Sequence, residues 1–159
     1  MRRLIFVVIS VFFFLFGQGC KSYGGFSKSQ IRSRIDSLVA IPNIQFDATQ
    51  AIPISMPGRN LSYGYSLIVR KDSILCNLPY FGRAYRVDSY GGDGGIRFQS
   101  TKFSYVLTRK KGMYEMKITT QDTPDKYDLL FVVGDTGYGT LTVNSTNRQS
   151  ISFYGTIKY

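Results

Sequence analysis

The densest set of chemically capable side chains in this sequence lies at Tyr80, Arg83, Tyr85, Tyr90 and Asp93, within LPYFGRAY at 78–85 and the glycine-rich GGDGG at 91–95. Aromatic faces stack on sugars or apolar ligands, and a guanidinium forks to carboxylate or phosphate. Around a bend, these residues make a candidate ligand-binding rim. The same segment has an architectural reading. Pro79 withholds a ladder donor, so a strand must end, bulge or lie at an edge there. Gly82 permits a bend, and Tyr80, Phe81 and Tyr85 can seal one end of a core.

The glycines at 91, 92, 94 and 95 invite comparison with phosphate-binding and calcium-binding loops. A phosphate loop runs from a strand into a lysine and a helix start. Here Ile96-Arg97-Phe98 follows, a strand pattern. A calcium site needs several converging oxygens, and Asp88 and Asp93 are joined by no further acidic cluster. A turn is the better reading, and no metal or cofactor is expected. The chain contains no histidine, which excludes Ser-His-Asp and Cys-His catalysis and histidine-based zinc sites. Asp88 and Asp93 sit in a glycine loop, a poor frame for two carboxyls at fixed separation. Glu115, the only glutamate, falls on the polar side of a strand pattern, and no nucleophile elbow is present. A non-catalytic protein is expected.

The chain begins with Met1-Arg2-Arg3, an apolar run at 4–16, and Gly17-Gln18-Gly19 before Cys20. A basic start, an apolar stretch and small residues before a cleavage point make a signal peptide. A cysteine directly after them points to a bacterial lipoprotein with Cys20 as acylated N-terminus. The thirteen residues of this run span roughly 20 Å as a helix, short of a hydrocarbon core of about 30 Å. Ordinary secretion and an uncleaved anchor are the alternatives. Cleavage at Cys20 removes Arg2 and Arg3 and leaves 18 basic and 10 acidic side chains, a balance of +8. Such charge suits anionic lipid or acidic polymers, and export argues against nucleic acid. The only tight basic runs are Arg70-Lys71 and Arg109-Lys110-Lys111, both placed at hairpin tips. With Cys20 lipidated, Cys76 is left as a free thiol, buried by its place in an apolar strand pattern.

The elements that position these groups follow from periodicity. Residues 1–19 are the signal and 20–29, rich in Gly and Ser, a tether. Residues 30–159 form one domain, long enough to bury a core without disulfides. Ile31, Ile35, Leu38 and Val39 share one face of a helix, capped by Ser27 or Ser29 and ended at Pro42. The rest is β. A turn centred on Lys71-Asp72 sets Val69 opposite Ile74, Leu67 opposite Cys76, Tyr65 opposite Leu78 and Tyr63 opposite Tyr80, all on one face. A turn at Lys111-Gly112 pairs Arg109 with Tyr114, Leu107 with Met116 and Tyr105 with Ile118. A three-residue loop at Asp135-Thr136-Gly137 pairs Phe131 with Leu141 and Leu129 with Val143, and the count continues to Phe153 and Ile151. With strands near 44–48 and 96–99, about nine strands form an antiparallel meander, expected as a strongly curved sheet or small barrel carrying one N-terminal helix. A two-sheet sandwich is the alternative.

LPYFGRAY at 78–85, GGDGGIRF at 91–98 and NRQSISFYGTI at 147–157 together resemble a family of Bacteroidetes envelope lipoproteins, domain of unknown function 4251. The resemblance runs from about residue 31 to 157. It implies a lipid-anchored envelope protein and transfers no catalytic residue. The expected location is the outer membrane on its periplasmic side, since no acidic residues follow Cys20. The membrane, reached through the N-terminal lipid, is then one partner. The others expected are a glycan, a lipid or another envelope protein. The alternative to a ligand-binding domain is an assembly subunit docking on an envelope protein or on the membrane.

Overall fold

A computed structural model describes residues 27–40, 42–86 and 94–158. The signal segment, Cys20, most of the tether, Tyr90 and Asp93 lie outside the described residues. Among the described residues one helix, α1 (Lys28–Ala40), precedes ten strands: β1 (Ile44–Pro53), β2 (Arg59–Asn60), β3 (Ser66–Val69), β4 (Ile74–Leu78), β5 (Ile96–Ser100), β6 (Phe103–Lys110), β7 (Met113–Thr120), β8 (Tyr127–Val133), β9 (Tyr138–Ser145) and β10 (Ile151–Lys158).

Helix α1 starts with a reciprocal cap. The Gln30 amide donates to Ser27 Oγ at 3.3 Å, and the Ser27 amide donates to Gln30 Oε1 at 2.9 Å, which satisfies two otherwise orphaned donors. Ile35 is fully buried and Ile31 packs beside it on the core. The side chains of Leu38 and Val39 lie outside the description.

All strands join one antiparallel sheet in the order β5-β4-β3-β1-β10-β9-β8-β7-β6, with β2 paired to β1. Strands β5 and β6 hold the two ends of this path, yet only Thr101 and Lys102 separate them in sequence. The sheet must therefore curl until its edges meet, a nearly closed barrel. The seam is pinned by Asp122, whose carboxylate accepts from the amides of Thr101 (2.8 Å) and Lys102 (3.0 Å) and from the hydroxyls of Ser100 and Thr101. These donors hold its pKa far below the usual carboxylate range.

The local registers agree with the alternation argument. Leu67 faces Cys76 and Val69 faces Ile74. Arg109 faces Tyr114, Leu107 faces Met116 and Tyr105 faces Ile118. Phe131 faces Leu141, and Leu141 in turn faces Phe153. Lys111 and Gly112 have φ of 50° and 80°, and Gly137 has φ of 82°, the positive values that tight hairpins require. The first hairpin is shorter than its apolar pattern suggests. Its ladder ends at Ser66–Asn77, because Gly64 at φ 102° turns the chain away and Asn77 Nδ2 caps the Gly64 carbonyl at 2.9 Å. Tyr63 is consequently exposed rather than paired with Tyr80, and Tyr65 instead gives its carbonyl to the Ala48 amide.

The meander is also interrupted, since β1 lies between β3 and β10. Gly155 on β10 and Gly139 on β9 face each other there. A Cβ at Gly155 would collide with the Asp47 carbonyl and come within 2.7 Å of the Phe46 ring. Strands β1 and β10 coil closely at this point, next to the register shift between Ala48 and Gln50. On the outer face Lys158 Nζ reaches Asp47 Oδ2 at 2.6 Å. Burial acts to raise the pKa of Asp47, but the hydrogen bonds from Lys158 and Gln45 outweigh it and hold it low. Inside, Phe46 meets Phe131 edge-on at 4.9 Å and Phe98 stacks on Tyr127 at 4.4 Å. Large side chains thus fill the barrel interior.

Candidate functional site

Three regions carry groups able to meet another molecule. The first is the barrel end bearing residues 78–86. Here Tyr80 folds back so that its hydroxyl lies 2.8 Å from the Arg83 carbonyl and 3.0 Å from the Gln149 carbonyl, its one proton shared between them. The Arg148 guanidinium covers the Tyr80 ring at 5.3 Å and donates to the carbonyls of Gly94 and Gly95. Burial pushes the Tyr80 hydroxyl pKa upward. Gly82 is required by this arrangement, since a Cβ there would lie 2.7 Å from the Tyr80 hydroxyl.

The connection between β9 and β10 is bound to the same segment. The Tyr85 amide donates to Asn147 O at 2.7 Å, the Gln149 amide to Arg83 O at 3.0 Å, and Ala84 bridges Arg148. That connection is seated from below by Asp125, which is buried and accepts from Ser145 Oγ and Asn147 Nδ2. Of the expected rim residues, Tyr80 is therefore committed to backbone and to Arg148. Arg83 and Tyr85 are exposed, Tyr85 at 71 %. Phe81 lies under the Arg59 guanidinium at 5.1 Å and packs on the core.

The second region is an open cleft of ≈ 360 Å³ on the outer wall, lined by Thr49, Met113, Val132, Tyr138, Thr140 and Tyr154 around Gly134, Gly139 and Gly155. Tyr138 is 68 % exposed and Tyr154 49 %. No carboxylate, ammonium or guanidinium lines it, so its character is set by two phenol rings, one thioether and two threonine hydroxyls. Sequence reasoning missed it because its residues come from five strands. The only local signal is that Tyr138 and Tyr154 are large side chains on the polar side of their strands.

The third region is the helix end. Arg109 Nη1 lies 3.8 Å from Asp36 Oδ1 of α1, and Arg70 Nη1 donates to Asn43 Oδ1 just beyond α1. Both basic hairpin tips therefore stand at the helix. Beneath them, Tyr105 and Tyr114 bury hydroxyls that meet no hydrogen-bond partner, and burial raises the Tyr105 pKa to about 12. Cys76 is a free, buried thiol whose pKa burial also pushes up, the setting of an unreactive cysteine. Among the described residues no group of three or more Cys, Asp or Glu is gathered as for a metal ion, and no helix is long and apolar enough to cross a membrane.

Comparison with known proteins agrees with this architecture. The crystal structure of a DUF4251 family protein from Bacteroides eggerthii DSM 20697 superposes with a TM-score of 0.58 at 12 % identity, covering 82 % of this chain and 91 % of that one. At that identity the likeness concerns the fold. No curated protein matches the chain. The family of DUF4251, a domain of unknown function, matches residues 27–157, from the helix cap to the last strand, and the chain belongs to it.

Proposed function

We propose that this protein is a lipid-anchored, non-catalytic module of the bacterial cell envelope that captures a glycan on the outside of a filled barrel. The observation that carries the reading is the cleft between Tyr138 and Tyr154. Binding sites are concave and mostly apolar, with a few polar groups that fix orientation. A sugar ring offers one apolar face and a rim of hydroxyls, which matches two exposed tyrosine faces and the hydroxyls of Thr49 and Thr140 without any charged group. The large side chains inside the barrel leave the outer wall as the place for capture. Anchoring at Cys20 rests on the signal pattern alone.

The test titrates the mature protein with the soluble tetramer of N-acetylglucosamine while following tyrosine fluorescence. Stacking on one aromatic ring is worth about 0.5 to 1.5 kcal/mol, so Tyr138→Ala and Tyr154→Ala are each expected to weaken binding by roughly two- to tenfold. Arg83→Ala, at the far end of the barrel, is expected to leave it unchanged. Absence of saturable binding, or binding indifferent to both tyrosines, would overturn the reading.

A further inference from the structure

We infer that the helix end of the barrel docks electrostatically on the anionic lipid surface of the membrane that holds the anchor. This docking rests on the anchoring reading above and on where the charge lies. The helix carries Lys28, Arg32 and Arg34, all exposed. Two hairpin tips adjoin it, Arg109-Lys110-Lys111 through Asp36 of the helix and Arg70-Lys71 through Asn43 just beyond it. This one face thus holds eight bases against two acids, Asp36 and Asp72. The other described residues hold nine bases and six acids, and Asp135 on the neighbouring β8–β9 tip is among those acids. Most of the excess positive charge is gathered where the chain enters the domain.

Chain length supplies the second part. From Cys20 to Ser27 there are seven peptide steps, a reach of at most about 25 Å even when fully extended. A domain held that close to a bilayer turns some face toward it, and α1 is the element to which the chain leads. Juxtamembrane bases near an anionic leaflet each strengthen association by roughly fivefold, within a Debye length of about 8 Å. Docked this way, the barrel presents residues 78–86 away from the membrane.

The experiment uses the full mature protein purified from envelopes. Its intact mass first reports whether Cys20 carries lipid. Single probes are then placed by Asp72→Cys at the helix end and Tyr63→Cys at the opposite end, Cys76 being buried. The protein is reconstituted in vesicles of phosphatidylcholine alone or with about one-third phosphatidylglycerol, each containing spin-labelled lipid. Quenching at position 72 is expected to exceed that at 63 at least about twofold in the anionic vesicles only. The difference is expected to vanish in ~0.5 M NaCl and in the variant Arg32→Gln, Lys71→Gln, Lys110→Gln, Lys111→Gln. Equal quenching at both sites, or a difference indifferent to charge and salt, would overturn the docking. A mass without lipid would refute the anchor alone. Docking is then read from flotation of the unlipidated protein with the same vesicles, which must be salt-sensitive and fall by roughly 600-fold in the fourfold variant; failure to float overturns it.

Discussion

Tyr80→Phe removes one oxygen from the barrel end and tests whether LPYFGRAY is a strut. That hydroxyl holds the Arg83 and Gln149 carbonyls at 2.8 and 3.0 Å, joining the motif to the β9–β10 connection. Losing a partly buried hydrogen bond of this kind costs about 1 kcal/mol, or roughly 3–5 °C in Tm for a domain of this size. Gly82→Ala should cost more. Its Cβ would lie 2.7 Å from Oη and 2.9 Å from Cζ, so the ring must leave its seat. The hydrogen bond then goes together with the Arg148 cation–π contact, about 0.5 to 1 kcal/mol, and part of the ring burial, about 2–3 kcal/mol in all. The two sites are coupled, so Gly82→Ala should be nearly silent in a Tyr80→Ala background. Arg83→Ala and Tyr85→Ser, both exposed, should stay within about 0.5 kcal/mol of the parent. Urea unfolding followed by far-UV circular dichroism measures all of these. Unchanged midpoints for Tyr80→Phe and Gly82→Ala would refute the strut, and large losses at Arg83 and Tyr85 would show that the segment is held by other contacts.

Gly155→Ala should destabilise by about 3 kcal/mol or more through overpacking against the Asp47 carbonyl and the Phe46 ring. Gly112→Ala, in open space but at φ 80°, should cost only about 1 kcal/mol; equal losses in chemical denaturation would contradict the close approach of β1 and β10. Cys76 should resist a thiol reagent until the domain unfolds, so stoichiometric labelling within seconds under native conditions counts against its burial. The pKa of Asp122 is depressed in the folded state, so its contribution is present above the unfolded value near about pH 4 and is lost as pH falls further. Asp122→Asn should therefore flatten the acid limb of a stability-versus-pH curve below about pH 4, and a curve parallel to the parent's would speak against the latch.

What could be read in advance from the residues was local. Leu67–Cys76, Leu107–Met116 and Phe131–Leu141 each join strands within about a dozen residues, where alternation on two sides of one turn determines the register. Pairing of Phe46 with Leu67 and with Ile157 is not encoded in any short window, because it follows from how far the whole sheet curls. The cleft escaped for the same reason, since Thr49, Val132, Thr140 and Tyr154 become neighbours only after β1, β8, β9 and β10 are assembled. At Tyr63 the apolar pattern itself misled: one glycine at positive φ outweighed an aromatic pair. The motif's bend was legible from Pro79 and Gly82. The use of Tyr80 as a backbone clasp was not, because its acceptors include a carbonyl 69 residues away.

The pairing of β1 with β10 has a consequence for the order of events during synthesis. Ala51 and Phe153 stand opposite each other although about a hundred residues separate them, and at Gly155 the approach leaves no room for a Cβ. A ribosome delivering this chain makes about a hundred residues after Ala51 before the strand that completes the ring exists. Until then β1 has only the short β3 and the two-residue β2 beside it. The nascent polypeptide therefore lacks the means to lock into its final form early. Closure through such distant partners is also slow, which leaves a window in which the extended chain can still be threaded through a narrow channel.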